Sequence, residues 1–143
     1  MFFSTSATKN RTGLASRIYA VLRAVLSDTM EGPFQLAERV VEVLIKQRGP
    51  AVFLLRRIDE TPAYAYYRGF VGRTGGDLAQ ALEKWFDSDY RVFWFAYAVS
   101  AAAAFEEQCR LWHELGGPAG KLDNEDHPRA AGTHLVRCPS CAP

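Results

Sequence analysis

All cysteines and histidines of this chain lie in its last quarter, and most of them lie in a tail with few apolar residues. The six residues are Cys109, His113, His127, His134, Cys138 and Cys141. The last two cysteines belong to a Cys-Pro-Ser-Cys sequence, and such a turn directs two sulfur atoms to one point. Because Zn²⁺ prefers thiolate and imidazole ligands in a tetrahedron, the pattern predicts a structural zinc site.

The candidate ligands outnumber the four that a tetrahedral zinc ion needs. Cys109 and His113 are four residues apart, so they share one face of a helix, and His127 lies in a polar loop. His134 ranks last because it lies close to the Cys-x-x-Cys turn. The prediction is a Cys3His site with one of two histidines, drawn from Cys109, His113, His127, Cys138 and Cys141.

The cysteines are also compatible with roles that involve no metal. A Cys-x-x-Cys pair also occurs as a redox centre or a disulfide, and a cysteine on a helix is often only a small buried residue. The odd number of cysteines disfavours a secreted disulfide framework, so we expect a cytoplasmic protein. The tail at 118–143 is polar and rich in Gly and Pro, and a structural metal, which contributes on the order of 10 kcal/mol, would fasten it to the core.

Length and composition predict one hydrophobic core. The chain has 143 residues, of which 48% are hydrophobic, with 17 basic and 16 acidic side chains. A chain of this size can bury a core without disulfides. Its near-neutral charge excludes a general attraction to nucleic acid, so such binding would need a local basic patch. The most apolar stretch, residues 92–105, is too short to cross a bilayer, and no membrane partner is expected.

The spacing of apolar residues predicts an α+β fold. Helical spacing predicts two N-terminal helices, one at 12–28 and one from Phe34 to the Gly49-Pro50 break. A small three-stranded antiparallel sheet flanked by helices follows. Its predicted elements are strands at 51–57, 64–72 and 90–97, a helix after the N-cap Asp77, and a helix at 101–115 capped by Ser100. The expected organisation is an N-terminal helical extension (1–48), a core (49–117) and an irregular tail (118–143) that zinc stabilises and that packs on the core.

Two short motifs lie in the predicted hairpin. Ala51-Val52-Phe53 is in its first strand, and Phe70-Val71-Gly72 ends its second strand. With the order hairpin, helix, strand, helix, these motifs resemble the Gly-Ile-Tyr and Tyr-Ile-Gly signatures of the GIY-YIG nuclease superfamily over residues 49–125. The stretch 104–113, His127-Pro128 and the Cys-Pro-Ser-Cys sequence resemble more specifically a bacterial GIY-YIG-like subgroup with a C-terminal Cys/His tail.

The resemblance implies which positions would carry phosphodiester cleavage. The family uses tyrosine hydroxyls to position water, a helix arginine to stabilise phosphate charge, and a glutamate to bind one divalent metal, Mg²⁺ or Mn²⁺. Here the corresponding residues are Phe53, Phe70, Ala81 and Gln108. Phenylalanine has no hydroxyl, alanine has no charge, and an amide is a poor Mg²⁺ ligand. Nuclease chemistry is therefore expected to be lost or weak.

Nearby residues offer substitutes, which keep a divergent metal-dependent endonuclease open as the alternative function. The possible substitutes are Tyr66, Arg73, Glu106 and Glu107. Each also has a plainer structural role, because strand tyrosines commonly pack on a sheet and paired glutamates commonly form a solvated helix face.

The leading prediction is a zinc-containing module that binds nucleic acid or a protein partner. Four arginines near the ends of the hairpin strands would supply a basic patch, namely Arg56, Arg57, Arg68 and Arg73. A solvated face without a ligand is an equal alternative. The N-terminal helices offer a second surface, for a protein partner or a second copy.

Overall fold

A four-stranded antiparallel sheet lies at the centre of the structure, which is a computed structural model. It describes residues 30–57, 68–120, 122–130 and 137–141. The strands are β1 (Glu31–Gln35), β2 (Ala51–Arg56), β3 (Gly69–Thr74) and β4 (Val92–Tyr97), and their order in the sheet is β1-β4-β2-β3. The predicted hairpin is present as the antiparallel pair β2 and β3, in which Phe53 lies opposite Gly72.

Within the described residues, three helices cover the two faces of the sheet. They are α1 (Glu38–Leu44), α2 (Leu78–Glu83) and α3 (Ala101–Glu114), and a 3-10 turn at Gly117–Ala119 follows the last. Alternate residues of β2 point to opposite faces, so Phe53 and Leu55 pack with α1 and α2, whereas Val52 and Leu54 pack beneath α3. Every residue of β2 is buried as a result.

The two helix caps expected from the sequence are confirmed. Asp77 accepts a hydrogen bond from the backbone N–H of Gln80 at 3.0 Å, and Ser100 accepts one from Ala103 at 3.0 Å. Each side chain satisfies an N–H that has no partner within its helix. These caps fix where α2 and α3 begin, and both helices contribute residues to the sites described below.

The prediction of three strands and two N-terminal helices is wrong in part. The segment from Glu31 to Gln35 is a strand that pairs with β4, and the helix predicted from Phe34 begins only at Glu38. The ring of Phe34 lies 5.8 Å from that of Phe93 and 5.9 Å from that of Phe95, so packing against β4 outweighs the helical spacing. The helix predicted at 12–28 lies outside the described residues.

The chain that follows α3 runs along the exposed edge of the sheet. Leu122 forms an isolated parallel bridge with Gly69, and the N–H of Asp123 donates to the Gly69 carbonyl at 2.6 Å. The Asn124 side chain accepts from the Val71 N–H and donates to its carbonyl, both at 2.8 Å. Strand β3 would otherwise present an unpaired edge, and the tail supplies its partners.

Within the described ranges, no helix combines the length and the apolar character that crossing a bilayer requires.

Candidate metal centre and adjoining cleft

Four of the predicted ligands meet at one point beside the end of α3. The ligand atoms of His113, His127, Cys138 and Cys141 all lie within 4.8 Å of one another, so the four residues could hold a metal ion. Nε2 of His113 is 3.1 Å from Nε2 of His127 and 3.2 Å from Sγ of Cys141. Ligand atoms bound at about 2.0–2.3 Å to one tetrahedral ion are roughly 3.3–3.8 Å apart, so the distances among His113, His127 and Cys141 are close to those of a metal centre.

The orientation of His127 favours metal binding. Its Nδ1 lies 2.7 Å from the carbonyl oxygen of Pro128, which can only accept, so Nδ1 carries the proton. The lone pair of a neutral imidazole is then on Nε2, the atom that faces His113 and Cys141. The Trp112 ring packs edge-on against both imidazoles, at 5.1 Å and 5.0 Å. A hydrogen bond to the second nitrogen is the usual means by which proteins orient a ligating histidine.

The surroundings of Cys138 favour the thiolate form that a metal ligand needs. Burial raises the pKa of its thiol, but hydrogen bonds from the backbone N–H groups of Cys141 and Ser140 and from Cys109 bring the pKa below its usual value. Metals bind the thiolate, so a lowered thiol pKa reduces the competition from protons at neutral pH.

Cys109 is not one of the four converging residues, which differs from the predicted Cys3His set. Its side chain is fully buried on α3 and packs with Phe105 and Cys138. Burial, together with the hydrogen bond to Cys138, raises the pKa of the Cys109 thiol to about 12. The geometry therefore makes Cys109 a protonated donor to the Cys138 sulfur, and the cluster is His2Cys2. His134 lies outside the described residues.

A second set of contacts holds the tail through Asp123. Nη1 of Arg57 forms an ion pair with Oδ2 of Asp123 at 2.9 Å, and the Tyr90 hydroxyl donates to the same oxygen at 2.5 Å. The Arg57 guanidinium also lies over the Tyr90 ring, 4.7 Å from its centroid. Burial and the hydrogen bond to Asp123 raise the pKa of Tyr90 well above its usual value.

The four substituted positions named above converge on one cleft of about 480 Å³. Phe53 and Phe70 come from the paired strands, Ala81 comes from α2, and Gln108 comes from α3. The full lining is Phe53, Phe70, Gly72, Arg73, Gly75, Ala81, Lys84, Trp85 and Gln108. Among these described residues none has a hydroxyl or a carboxylate, whereas two are cations.

Arg73 connects the cleft to the tail. Its guanidinium donates to the side-chain oxygen of Gln108 and to the backbone carbonyl of Arg129, and it lies over the Phe105 ring at 5.0 Å. The amide nitrogen of Gln108 donates to the Val71 carbonyl at 3.1 Å, so both ends of this buried amide are occupied. Arg129 is two residues from His127, and the metal cluster and the cleft therefore share one structural connection.

The other proposed substitutes lie elsewhere. Glu106 is exposed on α3, and Glu107 accepts hydrogen bonds from Arg110 at 3.0 Å and 3.1 Å. Neither glutamate lines the cleft. Tyr66 lies outside the described residues, so Arg73 is the one substitute that the described chain places there.

The four arginines expected to form a basic patch do not all lie together, because Arg73 is apart from the other three. Arg56 is only 6% exposed, and Arg57 is engaged with Asp123. Arg68 is exposed just before β3, whereas Arg73 lies near the far end of that strand. Arg73 is four positions along the strand from Gly69, which corresponds to about 13 Å. A single patch of four cations is therefore absent from this face.

The chain matches no known protein family, curated protein or solved structure. The site also contains four residues to which the sequence patterns assigned no functional role. Lys84 and Trp85 at the end of α2 line the cleft, and Asp123 and Asn124 hold the tail. Asp123 and Asn124 belong to no recognisable motif, so no signal in the sequence identified them. The position of Lys84 could have been inferred from the predicted helix that precedes it.

Proposed function

We propose that the chain is a GIY-YIG-like, zinc-containing module that binds nucleic acid through the cleft and does not cleave it. The observation that carries this proposal is the convergence of Phe53, Phe70, Ala81 and Gln108 on one cleft beside two cations. A phosphate backbone is anionic, and Arg73 and Lys84 are positioned to meet it. The flanking aromatic side chains suit nucleic acid better than a small inorganic anion.

The same lining argues against hydrolysis. Cleavage would need a group to activate water and a carboxylate to hold a divalent cation, and the described lining offers neither. Gln108 cannot substitute, because its amide is occupied by Arg73 and Val71. The loss of one preorganised electrostatic contact typically costs about 100-fold or more in rate, so the loss of several would leave little activity.

We assign Zn²⁺ to the His2Cys2 cluster and a structural role to the site. Two imidazoles and two thiolates in a closed tetrahedron are a common donor set of structural zinc, and all four ligand positions come from protein. Residues His113, His127, Cys138 and Cys141 would hold the ion, which would fasten the tail to α3.

Metal analysis of matched cysteine variants tests this assignment. Protein purified without chelator should contain about one zinc per chain. Cys141→Ser should lose the metal, whereas Cys109→Ser should keep it, because Cys109 only donates to a ligand sulfur. With Co²⁺ in place of zinc, the parent and Cys109→Ser should show the absorption of a tetrahedral thiolate site. Equal zinc loss in both variants would make Cys109 a ligand and overturn the His2Cys2 assignment.

Binding and cleavage assays test the function. Labelled DNA and RNA should bind with an affinity that falls with salt, and Mg²⁺ or Mn²⁺ should produce no cleavage. Lys84→Ala should weaken binding, whereas Lys46→Ala, at an exposed lysine outside the cleft, should not. Cleavage that disappears in a Glu106→Ala, Glu107→Ala double variant would establish the divergent endonuclease instead. The absence of any binding would favour a protein partner.

A further inference from the structure

One wall of the cleft is built to present aromatic surface. The rings of Phe70 and Trp85 are 4.5 Å apart at their centroids, and both are only partly buried. Trp85 is held from behind by Tyr90, whose ring it meets edge-on at 5.6 Å. A tryptophan fixed by two aromatic neighbours, and still open to a cleft, loses little side-chain entropy when a planar group stacks on it.

The cations lie on the same cleft as this aromatic wall. Lys84 is the residue before Trp85, and it is exposed at the end of α2. Arg73 is held in place by Gln108, Arg129 and Phe105, so its position does not depend on a ligand. Aromatic surface beside positive charge is the chemistry that proteins use for single-stranded nucleic acids.

Building on the proposed function, we propose that the cleft accommodates one unpaired nucleotide of a single-stranded nucleic acid. The base stacks on the wall formed by Phe70 and Trp85, and the phosphate lies near Arg73 and Lys84. Stacking needs a free base face, and in a duplex the neighbouring bases cover both faces. The bound segment is therefore a single strand, or an unpaired nucleotide within one.

The size of the cleft and the distribution of charge support a single nucleotide rather than a duplex. A volume of about 480 Å³ lies within the range of pockets that hold one small molecule, and a double helix cannot enter it. A duplex-binding face would also need cations spread along the backbone. Among the described arginines of the hairpin, Arg56 is buried and Arg57 is paired with Asp123. The cations that line this cleft suffice for one or two phosphates.

Fluorescence anisotropy with the full chain tests the inference. The probes are a labelled ten-nucleotide dT strand, the same strand with abasic sites throughout, and a duplex of equal length. The dT strand should bind most tightly, and removal of the bases should weaken binding about 5- to 100-fold, the range typical of a lost stacking contact. The abasic arm needs no variant, so it stays informative even if substitutions in the cleft unfold the protein.

Variants separate the two contacts. Trp85→Leu keeps an apolar side chain and should reduce the affinity for dT without changing the weak affinity for the abasic strand. Lys84→Ala should weaken the dT and abasic strands alike, and should lower the slope of log affinity against log salt by about 0.7, the value for one lost phosphate contact. Lys46→Ala is the matched control and should change neither.

The outcomes distinguish this inference from the proposed function. Equal binding of the dT and abasic strands would overturn base stacking, as would tighter binding of the duplex, and both results would leave nucleic-acid binding intact. Failure of all three probes to bind would overturn the inference and the proposed function together. A dT preference that is unchanged in Trp85→Leu would place the nucleotide outside this cleft.

Discussion

Gly72 is the position at which a small substitution should most clearly test the packing of the cleft. A Cβ atom added there would lie 2.7 Å and 2.9 Å from the two Cε atoms of Phe53, and closer still to its Cζ. Carbon atoms in contact normally lie at least about 3.5 Å apart, so the ring must move by about 1 Å. Phe53 is 3% exposed and packed on the sheet, which leaves little room for that movement.

The expected cost follows from these contacts. Overpacking of a filled core typically lowers the free energy of unfolding by about 1–3 kcal/mol. Replacing glycine by alanine raises it by about 0.4–1 kcal/mol, because the unfolded chain becomes less flexible. Gly76→Ala is the matched control, since its added Cβ would meet no atom within 4 Å and its φ is not left-handed. Both variants gain the same stability from the reduced flexibility of the unfolded chain. Gly72→Ala should therefore be less stable than Gly76→Ala by about 1–3 kcal/mol.

Urea unfolding followed by far-UV circular dichroism, at a fixed zinc concentration, measures this difference. With a dependence on urea of about 2 kcal/mol per molar, the two midpoints should differ by about 1 M. In a Phe53→Leu background the cost of Gly72→Ala should shrink, because the clashing ring is gone. Coincident midpoints for Gly72→Ala and Gly76→Ala would refute the reasoning, as they would mean that Phe53 does not lie across Gly72.

Three further predictions concern the tail and its connections. Asn124→Ala should lower the free energy of unfolding by about 1–3 kcal/mol, because it removes both hydrogen bonds to Val71, whereas the exposed Glu125→Ala should stay within about 0.5 kcal/mol of the parent in the same urea titration. Burial and Asp123 raise the pKa of Tyr90 above its usual 10.0, so the folded protein holds this proton more tightly than the unfolded chain does. Stability should therefore fall as the pH rises above about 10, and melting temperatures from pH 8 to 11 should decline less for Tyr90→Phe than for the parent. Chelation of the metal should weaken nucleic-acid binding about fivefold or more in the anisotropy assay, because it frees the Arg129 carbonyl that holds Arg73. Chelation should have no effect on binding by Arg73→Ala. An equal effect in that variant would exclude coupling through the contact between Arg129 and Arg73.

Local patterns in the sequence were sufficient for the elements of the core. Asp77 and Ser100 cap the helices that they were expected to cap, and the β-type apolar runs at 51–57 and 90–97 predicted the two central strands, β2 and β4. These features depend on residues a few positions apart, and such short-range interactions can be predicted from a single sequence. The edge strand β1 was missed because its stability comes from Phe93 and Phe95, about sixty residues away in the sequence.

The sequence alone determined that cysteine and histidine ligands would gather at the tail, since their chemistry and their clustering can be read directly. Only the tertiary structure decided which four converge. The four-residue spacing between Cys109 and His113 made Cys109 a reasonable candidate ligand. Burial on α3 and the contact with Cys138 raise the pKa of its thiol and favour the protonated form beside the cluster. The connection from His127 through Arg129 to Arg73 was equally invisible in the sequence. Residue type sets what a side chain can bind, whereas burial and neighbours from distant parts of the chain set its protonation state and its position.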